Sequence, residues 1–110
     1  MTFRTRFAPS PTGPLHLGHA YSALYGHRLA EAKNGLWLLR IDDLDRNRSK
    51  PEWTQQIFDD LRWLGLAWPE PVRFQSQETA SYQTALDALA RAKLIYPCCC
   101  TRADIAQAAA

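Results

Sequence analysis

Two histidines, His16 and His19, stand three residues apart where a proline-rich segment gives way to a helical pattern. A three-residue spacing places both imidazoles on one face of the first helical turn. The N-terminus of a helix also offers unpaired N–H groups and a partial positive charge, and both attract phosphate. The residues therefore predict a nucleotide site in which these histidines hold phosphate oxygens. Two histidines that only pack beneath the loop are the alternative.

The segment before the histidines is suited to a rigid loop. Pro9, Pro11 and Pro14 fix φ and remove backbone donors, so the chain can neither continue a strand nor start a helix before Pro14. Neither Gly13 nor Gly18 carries a Cβ, and we expect a tight turn at the first and close approach of a flat ligand at the second.

Strands and helices must position this loop. Alternation around Phe3, Thr5 and Phe7 indicates a strand, and the apolar run 36–41 indicates a second strand buried on both faces. Ligands of parallel sheets bind at the carboxyl ends of the strands, which is where the loop begins. The predicted elements are strands over 2–8, 36–41 and 72–74 and helices over 15–33, 51–64, 76–93 and 101–110.

Helix signals give finer expectations. In the first helix, the residues expected to form the buried stripe are Leu17, Ala20, Tyr21 and Leu24. In the second helix, the expected inner face is Trp53, Ile57, Leu61 and Leu64. The expected stop signals are Asn34-Gly35 and Gly65. The expected caps are a box from Ser49 to Glu52, a cap at Ser76 and a box from Thr101 to Asp104.

Composition bounds the class of protein. The 110 residues suffice for one core, and 13 Lys and Arg against 11 Asp and Glu give a net charge of +2, too balanced to predict a polyanion partner. Because no apolar run reaches the length of a membrane span and no secretory signal opens the chain, we predict a cytoplasmic protein.

Arg40, Arg46, Arg48 and Lys50 alternate with acidic residues, so a self-paired loop and a phosphate or tRNA contact remain equally open. Three adjacent cysteines, Cys98 to Cys100, indicate reduced or metal-bound thiols.

Several motifs together resemble one family. The run from Arg6 to Leu24, the segment Leu38 to Asp45, Pro51-Glu52-Trp53 and the segment Tyr96 to Arg102 are similar to the glutamyl branch of class I aminoacyl-tRNA synthetases, in which His16-Leu17-Gly18-His19 corresponds to the signature histidine motif. Within that branch, residues 18–24 and the Cys-x-Cys-Thr-Arg segment most resemble the paralogues that glutamylate the queuosine base of tRNA(Asp). A standard glutamyl-tRNA synthetase and a non-catalytic nucleotide- or tRNA-binding fragment are the alternatives.

The resemblance implies a fold and a domain division. The fold is α/β, the N-terminal half of a Rossmann-type catalytic domain over residues 1–97, with 98–110 as the start of a zinc-bearing insertion. Family members continue with the rest of that insertion, the second half of the Rossmann fold and a lysine-rich loop. The resemblance thus predicts that these residues are the N-terminal fragment of a longer, monomeric enzyme, with an early frameshift or stop as the other explanation.

The resemblance also implies substrates and their sites. They are L-glutamate, ATP with Mg²⁺, and tRNA(Asp) carrying queuosine, with no membrane partner, and the catalytic residues are His16 and His19. The implied ATP-binding residues are Pro9, Ser10, Pro11, Thr12, Gly13, His16, Gly18 and His19. The implied glutamate-binding residues are Arg6, Phe7, Ala8, Pro9, Ser10 and Asp42.

Two positions depart from the family pattern. Asp42 stands where most members have Glu, so the contact to the substrate ammonium is one methylene shorter. Cys98 and Cys100 resemble the first half of a structural Zn²⁺ site, whose other ligands are expected beyond residue 110, because two thiolates cannot complete a tetrahedron. Cys99 replaces the usual phenylalanine and is expected to be a core residue.

Overall fold

Strands and helices alternate along the chain, which the computed structural model describes over residues 2–109. The predicted elements are all present, with ends that differ by a few residues. They are β1 (Arg4–Phe7), α1 (Leu17–Ala32), β2 (Leu36–Ile41), α2 (Pro51–Trp63), β3 (Arg73–Phe74), a 3₁₀ turn (Gln75–Gln77), α3 (Thr79–Arg91) and α4 (Arg102–Ala108).

A three-stranded parallel sheet of order β1-β2-β3 organises the first of two compact units, which extends to Glu78. Arg4 lies opposite Leu36 and Phe7 opposite Leu39, while Arg40 and Ile41 pair with β3. All three strands are parallel, so their carboxyl ends meet at one edge. The α/β architecture and the N-terminal Rossmann-like arrangement predicted from the sequence are confirmed.

One hydrophobic core joins the sheet to α1 and α2. Its buried members are Phe7, Ala23, Ala30, Trp37, Leu39, Ile41, Ile57, Leu61 and Leu66. Trp37 is its largest side chain, and its ring contacts those of Phe7, His27 and Trp68. Burial of Ile57 and Leu61, each at most 1 % exposed, stabilises the fold by about 2 kcal/mol per side chain. The predicted inner face of α2 is thus confirmed.

The predicted buried stripe of α1 is only partly confirmed, because Leu24 packs against the core and Ala20 is half-buried, but the other two members are exposed. Leu17 is 85 % exposed and Tyr21 is 70 % exposed, whereas the buried residues are Ala23 and Ala30. Small residues of the helix face the sheet because the large Trp37 side chain on β2 fills the space between them. A Cβ on Gly26 would lie 3.3 Å from Nε1 of Trp37. Leu17 and Tyr21, two of the large residues expected in the stripe, therefore lie on the outer face of the helix.

The second strand also differs from its prediction. Trp37, Leu39 and Ile41 are buried, but Leu36 is exposed and Leu38 is only half-buried. The alternation means that one face of β2 carries the core, and the expected burial of both faces is wrong within residues 2–109.

Helix ends follow the predicted signals, whereas two predicted helix starts do not. At the end of α2, Gly65 has φ +75° and donates to Arg62 while Leu66 donates to Leu61, and at the end of α1 the positive φ falls on Asn34. The Ser49 box is wrong because Pro51 is the first helical residue, which makes Lys50 the N-cap. Ser76 caps no helix, since it lies in the 3₁₀ turn and binds Asp43 instead.

The second compact unit begins at Thr79 and contains α3 and α4. The capping box predicted at Thr101 and Asp104 is confirmed, with hydrogen bonds in both directions. The helix ends at Ala108, and the predicted continuation to Ala110 lies partly outside the described residues. The domain boundary at 97/98 stays a prediction. No described helix combines the length and apolar character that crossing a membrane requires.

Candidate functional site

A cleft of about 480 Å³ opens at the carboxyl end of β1, between the first turn of α1 and the segment 8–14, here called the proline loop. It is referred to below as the proline cleft. Its lining residues are Arg6, Phe7, Ala8, Pro9, Ser10, Thr12, Gly13, Pro14, Leu15, His19 and Ser22. The structure thus brings together most of the residues predicted from the sequence, apart from Pro11, His16, Gly18 and Asp42.

Backbone hydrogen bonds hold the proline loop in place. The carbonyl of Pro9 accepts from the N–H of Asp42 at 2.9 Å, and the carbonyl of Pro11 accepts from the N–H of Lys50 at 3.1 Å. Pro9 and Pro11 are buried. Since prolines cannot donate, their carbonyls are the groups by which the loop is fixed to the chain after β2.

The two histidines cap the helix that carries them. His16 is the N-cap of α1, and its Nδ1 accepts from the N–H of Gly18 at 3.1 Å. In return, Nδ1 of His19 accepts from the N–H of His16 at 3.1 Å. The reciprocal pair is a capping box built from imidazoles, and it brings the two ring centroids within 3.8 Å of each other.

This box decides where each imidazole carries its proton. A nitrogen that accepts a hydrogen bond has no proton, so both neutral rings carry theirs on Nε2. Burial, and then the neighbouring His16, lower the pKa of His19 below its usual value of 6.5. At neutral pH His19 is therefore a neutral donor at the wall of the cleft, while His16 beside it is exposed.

The two glycines of the site differ in their surroundings. A Cβ on Gly18 would lie 3.0 Å from Cε1 and 3.1 Å from Nδ1 of His16, so the bare backbone makes room for the histidine ring. A Cβ on Gly13 would meet nothing within 4 Å, and Gly13 lies on the cleft wall. The ligand approach expected at Gly18 and the tight turn expected at Gly13 stay predictions, and Gly13 does not have a positive φ.

Arg6 and Asp42 occupy different surroundings. Arg6 is exposed and lines the proline cleft, and its side chain makes no hydrogen bond or ion pair with any described residue. Asp42 is bound at its N–H by Pro9, but its carboxylate accepts from Nε and Nη2 of Arg40 at 2.6 and 2.9 Å. The guanidinium at the cleft is available to an anion, whereas the carboxylate of Asp42 is engaged within the protein.

Sequence reasoning missed Ser22 and a second cleft. Ser22 lies one turn after His19, so its spacing could have indicated it. The second cleft, of about 520 Å³, is lined by Pro11, Asp43, Arg46, Ser49, Lys50, Pro51, Thr54, Gln55, Phe74 and Ser76. These residues come from three separate stretches, around Pro11, over 43–55 and over 74–76, which no local pattern relates to one another.

The basic residues near this second cleft divide into two kinds. Arg40 pairs with Asp42, and Arg48 pairs with Asp45 at 2.6 Å, a bond that lowers the pKa of the Asp45 carboxyl. Arg46 and Lys50 form no ion pair within residues 2–109 and line the cleft. The self-paired interpretation thus holds for the first two residues, and the phosphate interpretation remains open for the other two.

The described residues do not hold a metal by themselves. Between residues 2 and 109 there is no group of three or more histidine, cysteine or acidic side chains that could ligate an ion. Cys98, Cys99 and Cys100 are free and exposed, so the expected core position of Cys99 is wrong. Two thiols fit only part of a Zn²⁺ site. No carboxylate is among the described residues that line the proline cleft.

Comparison with known proteins finds related sequences over almost the whole chain. The family model for the catalytic domain of class I tRNA synthetases for glutamate and glutamine matches residues 2–109. The chain is 56 % identical over 105 residues to a glutamyl-Q tRNA(Asp) synthetase of Rhodobacter capsulatus, covering 96 % of this chain and 38 % of that protein. It is 48 % identical over 98 residues to a glutamate–tRNA ligase of Synechococcus sp. CC9311, covering 89 % of this chain and 21 % of that protein.

A solved structure is similar as well. The crystal structure of a glutamate tRNA ligase from Elizabethkingia meningosepticum, in complex with its amino acid, superposes with a TM-score of 0.84 at 32 % identity. The match covers 98 % of this chain and 23 % of that one. The chain therefore spans between a fifth and two fifths of the length of these relatives.

Proposed function

Since the chain belongs to the family of class I tRNA synthetases for glutamate and glutamine, we propose that the complete protein activates L-glutamate with ATP and transfers it to the queuosine base of tRNA(Asp). In the first step a carboxylate oxygen of glutamate attacks the α-phosphorus of ATP, and pyrophosphate leaves. The products are glutamyl-adenylate and pyrophosphate. In the second step the glutamyl group passes to the tRNA and AMP is released.

The observation that supports the first step is the pair of imidazoles locked at the head of α1. Their Nδ1 atoms are occupied by backbone donors, so their Nε2–H groups are the ones left for phosphate oxygens. Phosphoryl transfer is accelerated mainly by position and by donors fixed in advance at the oxygens where negative charge increases. Neither histidine has to act as a base.

The proposed glutamate site is the part of the proline cleft lined by Arg6 and residues 7–10. The guanidinium of Arg6, unpaired within the described residues, suits a carboxylate because its planar fork can bind two oxygens at once. Phe7, Ala8, Pro9 and Ser10 line the same wall. For Asp42 to bind the substrate ammonium, its carboxylate must turn from Arg40 or accept from both.

Mg²⁺ and Zn²⁺ belong to the proposal in different ways. Mg²⁺, when bound, neutralises phosphate charge, and we place it on the ATP phosphates rather than in a protein cage. Zn²⁺ remains a prediction for Cys98 and Cys100 with further ligands from outside these residues. We expect about one equivalent of Zn²⁺ in the complete protein, lost in Cys98→Ser and in Cys100→Ser and kept in Cys99→Phe. If the metal assay finds Cys99 as necessary as its neighbours, the Cys-x-Cys assignment is wrong.

The proposal of queuosine as acceptor rests on one relative, since other glutamyl-Q tRNA(Asp) synthetases, at 46–47 % identity, are no more similar to this chain than the ligases. The Rhodobacter glutamyl-Q tRNA(Asp) synthetase is 56 % identical to this chain, against 48 % for the Synechococcus glutamate–tRNA ligase. Because both enzymes share the activation step, the acceptor is the point at which the two functions separate. A glutamate–tRNA ligase is therefore the second candidate, and a fragment that binds nucleotide without catalysis is the third.

Labelled glutamate and three RNAs distinguish these candidates. The complete protein is incubated with ATP and either tRNA(Asp) that carries queuosine, the same tRNA(Asp) without the modified base, or tRNA(Glu). We expect label only on the first, together with glutamate-dependent exchange of pyrophosphate into ATP in the absence of RNA. Label on tRNA(Glu) would instead assign a glutamate–tRNA ligase, and ATP binding without exchange would assign the non-catalytic fragment.

A further inference from the structure

A carboxylate and a serine that are 33 residues apart in the chain are joined by two short hydrogen bonds. The N–H of Ser76 donates to Oδ1 of Asp43 at 2.8 Å, and its hydroxyl donates to Oδ2 at 2.6 Å. Each carboxylate oxygen thus receives one donor, and both residues are partly buried. This contact is called the Asp43–Ser76 clamp.

The clamp acts at the end of β2, where Asp42 lies. The N–H of Asp42 is bound to Pro9 in the wall of the proline cleft, and the next residue is held by Ser76 in the 3₁₀ turn after β3. Asp42 is therefore anchored on both sides, once to the proposed glutamate site and once to the turn.

We infer that Asp43 is a positioning residue for the glutamate half of the site, acting through Asp42 without touching the substrate. This inference rests on the proposed function. Loss of the clamp frees the chain after Ile41 to move, and a displacement of about 1 Å in a positioning group is enough to impair a site strongly. The imidazoles are held by their own capping box, which includes neither Asp43 nor Ser76.

Loss of the clamp is expected to weaken the binding of glutamate and not that of ATP. In the complete protein, Asp43→Ala is expected to raise the KM for glutamate on the order of 10-fold in pyrophosphate exchange, while the KM for ATP and kcat change less than 2-fold, because a contact equal in ground and transition states is lost. A merely structural role would lower the active fraction, and hence kcat, and leave both KM values unchanged.

Conservative variants sharpen the test. Asp43→Asn can keep both bonds, because the amide oxygen accepts from the N–H of Ser76 and the amide nitrogen donates to its hydroxyl. We expect Asp43→Asn to retain a near wild-type KM and Ser76→Ala to fall between wild type and Asp43→Ala. Asp43→Ala with Ser76→Ala should be no worse than Asp43→Ala alone. Gln77→Ala, at an exposed neighbour in the same turn, is the control expected to change nothing.

A second measurement separates this inference from the proposed function. Hydrogen exchange of the Asp42 amide, bound to Pro9, is expected to speed up in Asp43→Ala and to be restored in Asp43→Asn. If pyrophosphate exchange by the wild-type protein did not depend on glutamate, the proposed function would be contradicted. The exchange rate of the Asp42 amide would still show whether the clamp holds this part of the chain. An unchanged amide, equal changes in both KM values, or an Asn variant no better than Ala would overturn the inference.

Discussion

The helices that follow β1 and β2 begin in opposite ways. At α1 the capping residues are the two candidate catalytic histidines. His16 accepts from the N–H of Gly18, and His19 accepts from the N–H of His16. At α2 the N-cap is Lys50, whose side chain caps nothing, and Oγ of Ser49 is buried without a partner among the described residues. At α1 the hydrogen bonds that cap the helix therefore also fix the candidate catalytic side chains before any substrate is bound. At α2 no side-chain cap does this.

A substitution at Gly18 is expected to disturb the cap of α1 and so reduce its difference from the start of α2. In Gly18→Ala the added Cβ presses on the His16 ring, which must move by a few tenths of an ångström and so weakens its bond to the N–H of residue 18. We expect adenylate formation to fall about 10-fold, or about 1.4 kcal/mol. Thermal stability should change little, because alanine is the better helix former by about 1 kcal/mol.

A double variant shows whether the Gly18 effect passes through the ring. If it does, Gly18→Ala combined with His16→Asn is no slower than His16→Asn alone, since the ring that was displaced is already absent. Additive losses in single-turnover rates would mean that Gly18 acts on the substrate directly.

The start of α2 can be made to resemble that of α1. Lys50→Ser places a hydroxyl at the N-cap, where serine is strongly preferred, and we expect a gain of about 1 kcal/mol in the free energy of unfolding. Lys50→Ala is the matched control and should differ from wild type by only a few tenths of a kcal/mol, since the lysine side chain makes no cap bond. Urea denaturation that finds the two variants equal would contradict the assignment of Lys50 as the N-cap.

The smallest expected effect is a pH dependence at His19. Its folded-state pKa is below 6.5, so between these two values the unfolded chain binds more protons than the folded chain, and the free energy of unfolding increases with pH. Stability should decline as the pH falls through about 6.5 and stop declining below the folded pKa. His19→Gln should flatten this part of the profile. A profile equally steep in the variant would mean that other groups cause it.

The helices and strands were predicted well from local signals, because helix and strand propensities and the effects of proline and glycine on the backbone depend on only a few neighbouring residues. Gly65 and Thr101 are examples, since their roles depend only on neighbours in sequence. The proline loop and the head of α1 were predicted for the same reason. The Ser49 box failed by one position, because proline at the first helical position moved the cap to Lys50.

Contacts between distant segments were beyond local signals. Ser76 looked like a helix cap, yet its partner Asp43 lies 33 residues away. The burial of Ala23 and Ala30 in α1 was missed because Trp37, on the following strand, requires small residues on the part of the helix that faces it. The pairing of Arg40 with Asp42 across one intervening residue depends on how β2 ends at the proline loop.

Single-turnover formation of glutamyl-adenylate by the complete protein tests the histidines with their capping role preserved. Asparagine at position 16 is a good N-cap, and glutamine at position 19 can still reach back to the N-cap N–H, so His16→Asn and His19→Gln keep α1 while removing the imidazole donors. We expect each variant to lose on the order of 100-fold in rate, about 2.7 kcal/mol, with a smaller loss of ATP affinity and almost unchanged glutamate affinity. Turnover that stays near wild type in both variants, or losses of ATP affinity as large as those of rate, would contradict stabilisation of the transition state by these two rings.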